Sequence, residues 1–176
     1  GKKLTVDKHT GKIGQATIKL PASTLGIGHT RWATHGGVTV SNTHPHLDCT
    51  KEVAVVHNGI VENYQEIRNQ FKNKHRFLSQ TDTEIIVHLI EEELLKVVGI
   101  ENAVRKAFLK LKGLNAIVVL DAKEGKLLAV KRGSPLVLGL GNGENLVASD
   151  SQGLVEYTEK VVFLEDDQFA VLESNK

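Results

Sequence analysis

The chain has 176 residues, a formal net charge of +1 and 40% apolar residues, which suits one compact domain with a real core, residues 1–176 as a single unit. The near balance of charge speaks against a nucleic-acid or membrane-surface partner, and no run is long enough for a membrane span or a signal peptide. A single cysteine, Cys49, excludes an internal disulfide framework and fits a reducing, cytoplasmic compartment.

The sequence contains no Met, and Gly1-Lys2-Lys3-Leu4-Thr5-Val6 enters as strand-like sequence without a leader. It reads as a fragment of a longer chain. Residues 3–6 and 13–20 are expected to pair as strands around the turn His9-Thr10-Gly11. Residues 25–32 then read as a buried strand whose end spills polar groups into a loop: Gly28-His29-Thr30-Arg31-Trp32-Ala33-Thr34-His35-Gly36. Strand ends and the loops after them commonly carry chemistry. Arg31 offers a planar fork of donors suited to a carboxylate.

Residues 36–50 are loop-like. Residues 52–57 form the next strand, which stops at Asn58-Gly59. An Asn amide beside a glycine N–H can hold a developing oxyanion, and Asn-Gly is equally a common tight-turn pair. Three helices follow. Asn63 with Glu66 resembles a capping box, with Tyr64, Ile67 and Phe71 on one face. Thr81 with Glu84 repeats the signature before the stripe Ile85, Ile86, Leu89, Ile90, Leu94 and Val97, closed by Gly99. Ala103, Val104, Ala107, Phe108 and Leu111 mark the third, ended by Gly113.

The remainder reads as β: 115–120 with 126–131, 135–140 with 145–148, and 161–164 with 168–172 as hairpins, and 150–155 as one helical turn. Hairpins before and after a helical block argue for antiparallel sheets covered by helices, an α+β fold, rather than a parallel βαβ sheet.

Several clusters have bland readings. Asp82 in Gln80-Thr81-Asp82-Thr83-Glu84 could take an ammonium group or simply cap a helix. His44-Pro45-His46 reads as a structural loop, since no ligand-spaced Cys or Asp pattern accompanies it, and no metal or cofactor is expected. Gly139-Leu140-Gly141-Asn142-Gly143 imitates a dinucleotide fingerprint, but no helix pattern follows, so a hairpin is expected. Glu91-Glu92-Glu93 reads as a solvated helix face. Cys49, with His46 and His57 near it in sequence, reads as a passive thiol rather than a nucleophile.

Four motifs in order, Thr30-Arg31-Trp32-Ala33-Thr34-His35-Gly36, His57-Asn58-Gly59-Ile60-Val61-Glu62-Asn63, Thr81-Asp82-Thr83-Glu84 and Arg132-Gly133-Ser134-Pro135-Leu136-Val137-Leu138-Gly139, resemble the glutaminase domain of the glucosamine-6-phosphate synthases. These are class II glutamine amidotransferases of the N-terminal nucleophile hydrolase fold. The resemblance runs from about Gly26 to the last strand. It implies a four-layer αββα sandwich of antiparallel sheets, here without its N-terminal strand and helix. It also implies roles. Arg31 would grip the α-carboxylate of L-glutamine or L-glutamate, and Asp82 would pair with the α-ammonium. Trp32, Thr34, His35 and Gly36 would belong to a loop closing over the substrate. Asn58 and Gly59 would form the oxyanion hole. Partners implied are a sugar isomerase domain of the same protein and further copies in a homo-oligomer.

The family opens on a nucleophilic Cys. Residue 1 here is Gly, and Gly37-Val38 stands where Glu-Pro is usual. The chain as written is therefore expected to bind glutamine or glutamate weakly at best and not to hydrolyse it. Three readings stand: the ammonia-supplying half of a glucosamine-6-phosphate synthase, a catalytically dead glutamine-sensing or partner-binding module, or a class II amidotransferase with another ammonia acceptor.

Overall fold

A computed structural model describes residues 4–33 and 36–173. Its centre is a five-stranded antiparallel sheet in the order β1-β2-β3-β4-β8, formed by β1 (His46–Leu47), β2 (Val53–Gly59), β3 (Asn115–Asp121), β4 (Lys126–Arg132) and β8 (Phe169–Glu173). Alternate residues serve opposite faces. Val53, Val55, Ile117, Val119, Leu128 and Val130 face one core, while Ala54, Val56, Ala116, Val118, Leu127 and Ala129 face another. Every residue of β3 is buried, because both faces are covered.

The first core is closed by α1 (Tyr64–Phe71), α2 (Glu84–Leu94) and α3 (Ile100–Phe108). Ile85, Ile86, Leu89 and Ile90 of α2 interlock there with Ala103, Val104 and Ala107 of α3. The second core is closed by a three-stranded antiparallel sheet in the order β6-β5-β7: β5 (Val137–Leu140), β6 (Asn145–Ala148) and β7 (Val161–Phe163). Leu4, Leu25 and Ile27 pack onto this second core as well. Helices, large sheet and small sheet thus stack as layers of an α+β fold with antiparallel sheets.

Several expectations are met. The β3–β4 and β5–β6 hairpins form. Gly139 to Gly143 lies in the β5–β6 hairpin, not before a helix, and one 3-10 turn covers Ser151–Gly153.

Others are corrected. Segments 4–6 and 13–20 do not pair as strands. Lys19 N donates to Asp7 Oδ2 at 2.7 Å, so the segment folds back, but Ile13–Gln15 is a 3-10 turn and Ile13 stays 70% exposed. An isolated two-stranded ribbon with no covered face has little to stabilise it. Residues 25–32 carry no regular secondary structure; Leu25 and Ile27 pack inward, yet the segment joins neither sheet among the described residues. The last two strands are not a hairpin. β7 pairs with β5, whereas β8 pairs with β4, so residues 164–168 carry the chain from the small sheet to the large one. Asn63 does not cap α1. Its side chain bridges Lys110 O and Lys112 N, both at 2.9 Å. Gly99, with φ +83°, opens α3 rather than closing α2.

Candidate functional site

Three breaks in regular structure meet at one cavity of about 610 Å³. They are the loop after residue 27, the end of β2 and the approach to α2. Gly28 to Trp32, His44, His57 to Gly59, Thr81 to Thr83 and Ser149 line it.

β2 ends with Asn58 opposite Ala116 and Gly59 opposite Asn115, so the Asn-Gly pair lies within the ladder and is not a turn. Gly59 has φ +131°, and a Cβ there would lie 2.0 Å from Leu114 O. Only glycine fits this approach. Ile60 N donates to Leu114 O at 3.2 Å. Antiparallel ladders alternate, so the neighbouring Gly59 N–H points away from β3.

Asn58 Oδ1 lies 2.7 Å from His29 Nε2. With the imidazole donating, the Asn58 carboxamide is turned so that its NH₂ is the end left for the cavity. His29 comes from the extended segment that sequence reasoning treats as a strand, and its role was missed there.

Asp82 is 4% exposed. Its Oδ2 accepts Val61 N–H at 2.8 Å, so it does not cap α2 as the bland reading expects. Glu84 takes up the other half of the capping signature, on N–H groups two and three residues ahead of Thr81. Its carboxylate accepts Leu78 N at 2.7 Å and Ser79 N at 2.8 Å, while Thr81 Oγ1 meets Glu84 N at 3.4 Å.

Thr83, at the head of α2, gives its hydroxyl to two imidazoles instead: His57 Nδ1 and His44 Nε2, both at 3.0 Å. Donors can be assigned along this run. Asn115 spends its NH₂ on Gly113 O at 2.9 Å and Lys112 O at 3.3 Å, so its Oδ1 accepts from His57 Nε2 at 2.9 Å. His57 Nδ1 then accepts from Thr83, whose oxygen accepts from His44. This relay welds β2 to the start of α2 and defines a neutral floor. Burial holds His57 below the ordinary imidazole range, against the pull of the Asp82 carboxylate. Burial likewise depresses His44 and His29 and pushes His46 down to about 3, helped by the charges of Lys8 and Arg31. His44 and His46 are thus hydrogen-bonded structural imidazoles; His46 Nε2 meets Thr81 Oγ1 at 3.0 Å.

Arg31 is half-buried at the rim. Its guanidinium donates to Gly37 O at 3.1 Å and Gly36 O at 3.3 Å. The far side of the same loop is held by Asn42, a buried residue that sequence reasoning overlooked. Asn42 Nδ2 donates to Gly37 O at 2.9 Å and Asn42 Oδ1 accepts Gln80 N–H at 2.9 Å. A Cβ on Gly36, whose φ is +77°, would meet Asn42 Nδ2 at 2.8 Å. Trp32 is 90% exposed at the mouth. Thr34 and His35 lie outside the described residues. The structure thus brings Arg31, Trp32, Asn58, Gly59 and Asp82 to one cavity, with Gly36 at the foot of the Arg31 loop. Cys49 is elsewhere, against His75 and His88.

Residues 29–156 match the glutamine amidotransferase domain family. The glutamine–fructose-6-phosphate aminotransferase (isomerizing) of Thermococcus kodakarensis is 48% identical over 178 residues, covering 98% of this chain and 30% of that protein. Its counterpart in Pyrococcus horikoshii is 45% identical, covering 97% and 29%, and that of Thermotoga maritima is 51% identical, covering 84% and 24%. The chain therefore spans under a third of the length of these relatives. Among solved structures, the glutamine phosphoribosylpyrophosphate amidotransferase of B. subtilis superposes with a TM-score of 0.64 at 21% identity, covering 84% of this chain and 34% of that one. The allosteric regulatory enzyme of purine biosynthesis gives 0.66 at 22%, with the same coverage. These likenesses carry the fold alone. By its sequence, the chain belongs to the glutamine amidotransferase domain family.

Proposed function

We propose that this domain binds L-glutamine and supplies its amide nitrogen as ammonia for the conversion of fructose 6-phosphate to glucosamine 6-phosphate by a longer, cytoplasmic, homo-oligomeric protein carrying a sugar isomerase domain. The observation that carries the reading is the convergence of opposite charges and amide donors on one cavity. A free amino acid presents a carboxylate and an ammonium a few bonds apart, and Arg31 and Asp82 offer the matching pair. Arg has five N–H donors, so the guanidinium that steadies Gly36 and Gly37 can also meet a carboxylate. The side-chain amide then extends towards Asn58 and Gly59. There the Asn58 NH₂ and the outward Gly59 N–H await the oxyanion of a tetrahedral intermediate. The loop from Trp32 through Thr34, His35 and Gly36 closes over the bound substrate.

The chemistry of this class is attack by an N-terminal cysteine thiolate on the amide, loss of ammonia and hydrolysis of the glutamyl thioester. Arg31→Lys in the longer protein tests the assignment. Glutamine-dependent formation of amino sugar falls roughly 100-fold, because a bidentate, charge-assisted contact is lost, while synthesis from added ammonium salts continues. Equal loss of both activities, or of neither, removes the carboxylate role from Arg31.

A further inference from the structure

On the helical side of the large sheet, outside the cavity, four side chains converge that the amidotransferase reading does not use: Cys49 from the β1–β2 turn, His75 from the α1–α2 connection, and His88 and Glu91 from α2. Cys49 Sγ lies 3.4 Å from His75 Nδ1 and 3.9 Å from His88 Nδ1. Glu91 Oε2 lies 3.1 Å from His75 Nδ1 and 3.2 Å from His88 Nδ1. All four donor atoms fall within 4.8 Å of one another.

The separations of 3.1–3.9 Å approach those of a coordination tetrahedron, and the widest in the set, within 4.8 Å, would have to close on binding. Bonds of about 2.0–2.1 Å to nitrogen or oxygen and about 2.3 Å to sulfur place ligand atoms roughly 3.3–3.6 Å apart. The outer contacts are also in place. His75 Nε2 meets Glu92 Oε1 at 3.1 Å, and Lys74 holds that carboxylate at 3.1 Å. Such a carboxylate behind a ligating imidazole fixes its tautomer. Cys49 N–H donates to Glu91 Oε2 at 3.3 Å. His88 is 1% exposed, and its Nε2 has no polar partner among the described residues, so every polar contact of that ring is on the side of the cluster.

We propose that Cys49, His75, His88 and Glu91 form a four-ligand site for a divalent transition metal with the preferences of zinc. One thiolate, two neutral imidazoles and one carboxylate neutralise a dication, and sulfur with nitrogen selects zinc over magnesium or calcium. Four protein ligands leave no position for substrate, so the metal is structural. It clamps the β1–β2 turn and the α1–α2 connection onto α2, the helix whose head carries Thr83. Binding displaces the Cys49 thiol proton to solvent.

The test uses the full chain, purified without a histidine tag, reduced and treated with a chelator. Zinc titrated calorimetrically should bind with one equivalent per chain. Cobalt(II) should produce tetrahedral visible bands and a thiolate charge-transfer band. Zinc at about 100 times its Kd should raise Tm by roughly 5–10 °C. Cys49→Ser should abolish the charge-transfer band and weaken zinc binding roughly 100-fold, while Glu92→Gln should weaken it about 10- to 100-fold. Far-UV circular dichroism of both variants, and Glu91→Gln as a second ligand change, separate lost binding from lost folding. Absence of zinc binding by the folded, reduced chain overturns the proposal. So does binding that survives Cys49→Ser unchanged, which would place the metal on the cavity imidazoles.

Discussion

Asp82 Oδ2 accepts the backbone N–H of Val61 at 2.8 Å. The residue proposed to recognise the ammonium of glutamine also fixes the segment that follows Asn58 and Gly59. One carboxylate oxygen sets the distance between the two halves of the site. The two roles separate by substitution. Asp82→Asn keeps an acceptor for Val61 but removes the charge. Its urea midpoint should stay near that of the parent, and glutamine affinity should fall roughly 100-fold, within the range for a truncated buried charge pair. Asp82→Ala should lose both, with stability down by about 1–3 kcal/mol because the Val61 N–H is left unpaired. Unaltered glutamine affinity in Asp82→Asn would remove Asp82 from recognition.

Asn42 governs the loop from the other side. Asn42→Ala strips partners from the Gln80 N–H and the Gly37 carbonyl, so about 2 kcal/mol of stability should go. The Gly36–Gly37 segment then loses one of its anchors and keeps the Arg31 guanidinium. In the longer protein, KM for glutamine should rise several-fold with a much smaller change in kcat, since the loop contributes to binding rather than to the reacting atoms. A kcat effect with KM intact would contradict this.

Gly59→Ala is the most damaging single-methyl change expected at the site. The added Cβ meets Leu114 O, and φ +131° is hostile to any L side chain. Backbone strain and overpacking of about 1–3 kcal/mol each combine. Thermal unfolding should show a loss of roughly 3–5 kcal/mol. Gly143→Ala provides the contrast: φ is +80° there but no atom lies within 4 Å, so only the strain of about 1–2 kcal/mol applies.

Acid should weaken the fold through the imidazole floor. His29, His44, His46 and His57 are all held below their unfolded value, His46 at about 3. Between about pH 6.5, where an unfolded imidazole takes up its proton, and the depressed folded values, the unfolded chain binds more protons. Stability is therefore fully present above pH 6.5 and falls as pH drops through that window. The slope is at most about 1.4 kcal/mol per pH unit for each such residue. Urea midpoints between pH 7 and pH 5 should decline, and His46→Gln should flatten the decline. A flat profile in the parent chain would show that these imidazoles titrate normally.

Much of this was legible in the sequence because it depends on local pattern. The apolar runs in 115–120 and 126–131, on either side of a turn, mark the β3–β4 hairpin, and the stripe from Ile85 to Ile90 marks α2. The Arg31, Asn58-Gly59 and Asp82 motifs mark the cavity because their residue types suit one ligand. Sequence reasoning failed where the partner is remote. Residues 161–164 and 168–172 look like a hairpin, and only the competing edges of β5 and β4 send them to different sheets.

The sequence by itself determined the layered antiparallel fold, the three helices and the residue types of an amino-acid clamp, since those follow from hydrophobic period and side-chain chemistry within short windows. The tertiary structure alone decided what touches what. It set His29 on Asn58, Thr83 between two imidazoles and Asn42 across to Gln80, and it carried Cys49 away from His46 and His57 to His75, His88 and Glu91. Those pairings span 26 to 42 residues in sequence or join different elements. They arise because the packed faces of β2 and α2 bring distant polar groups into a low-dielectric interior, where each must find a partner.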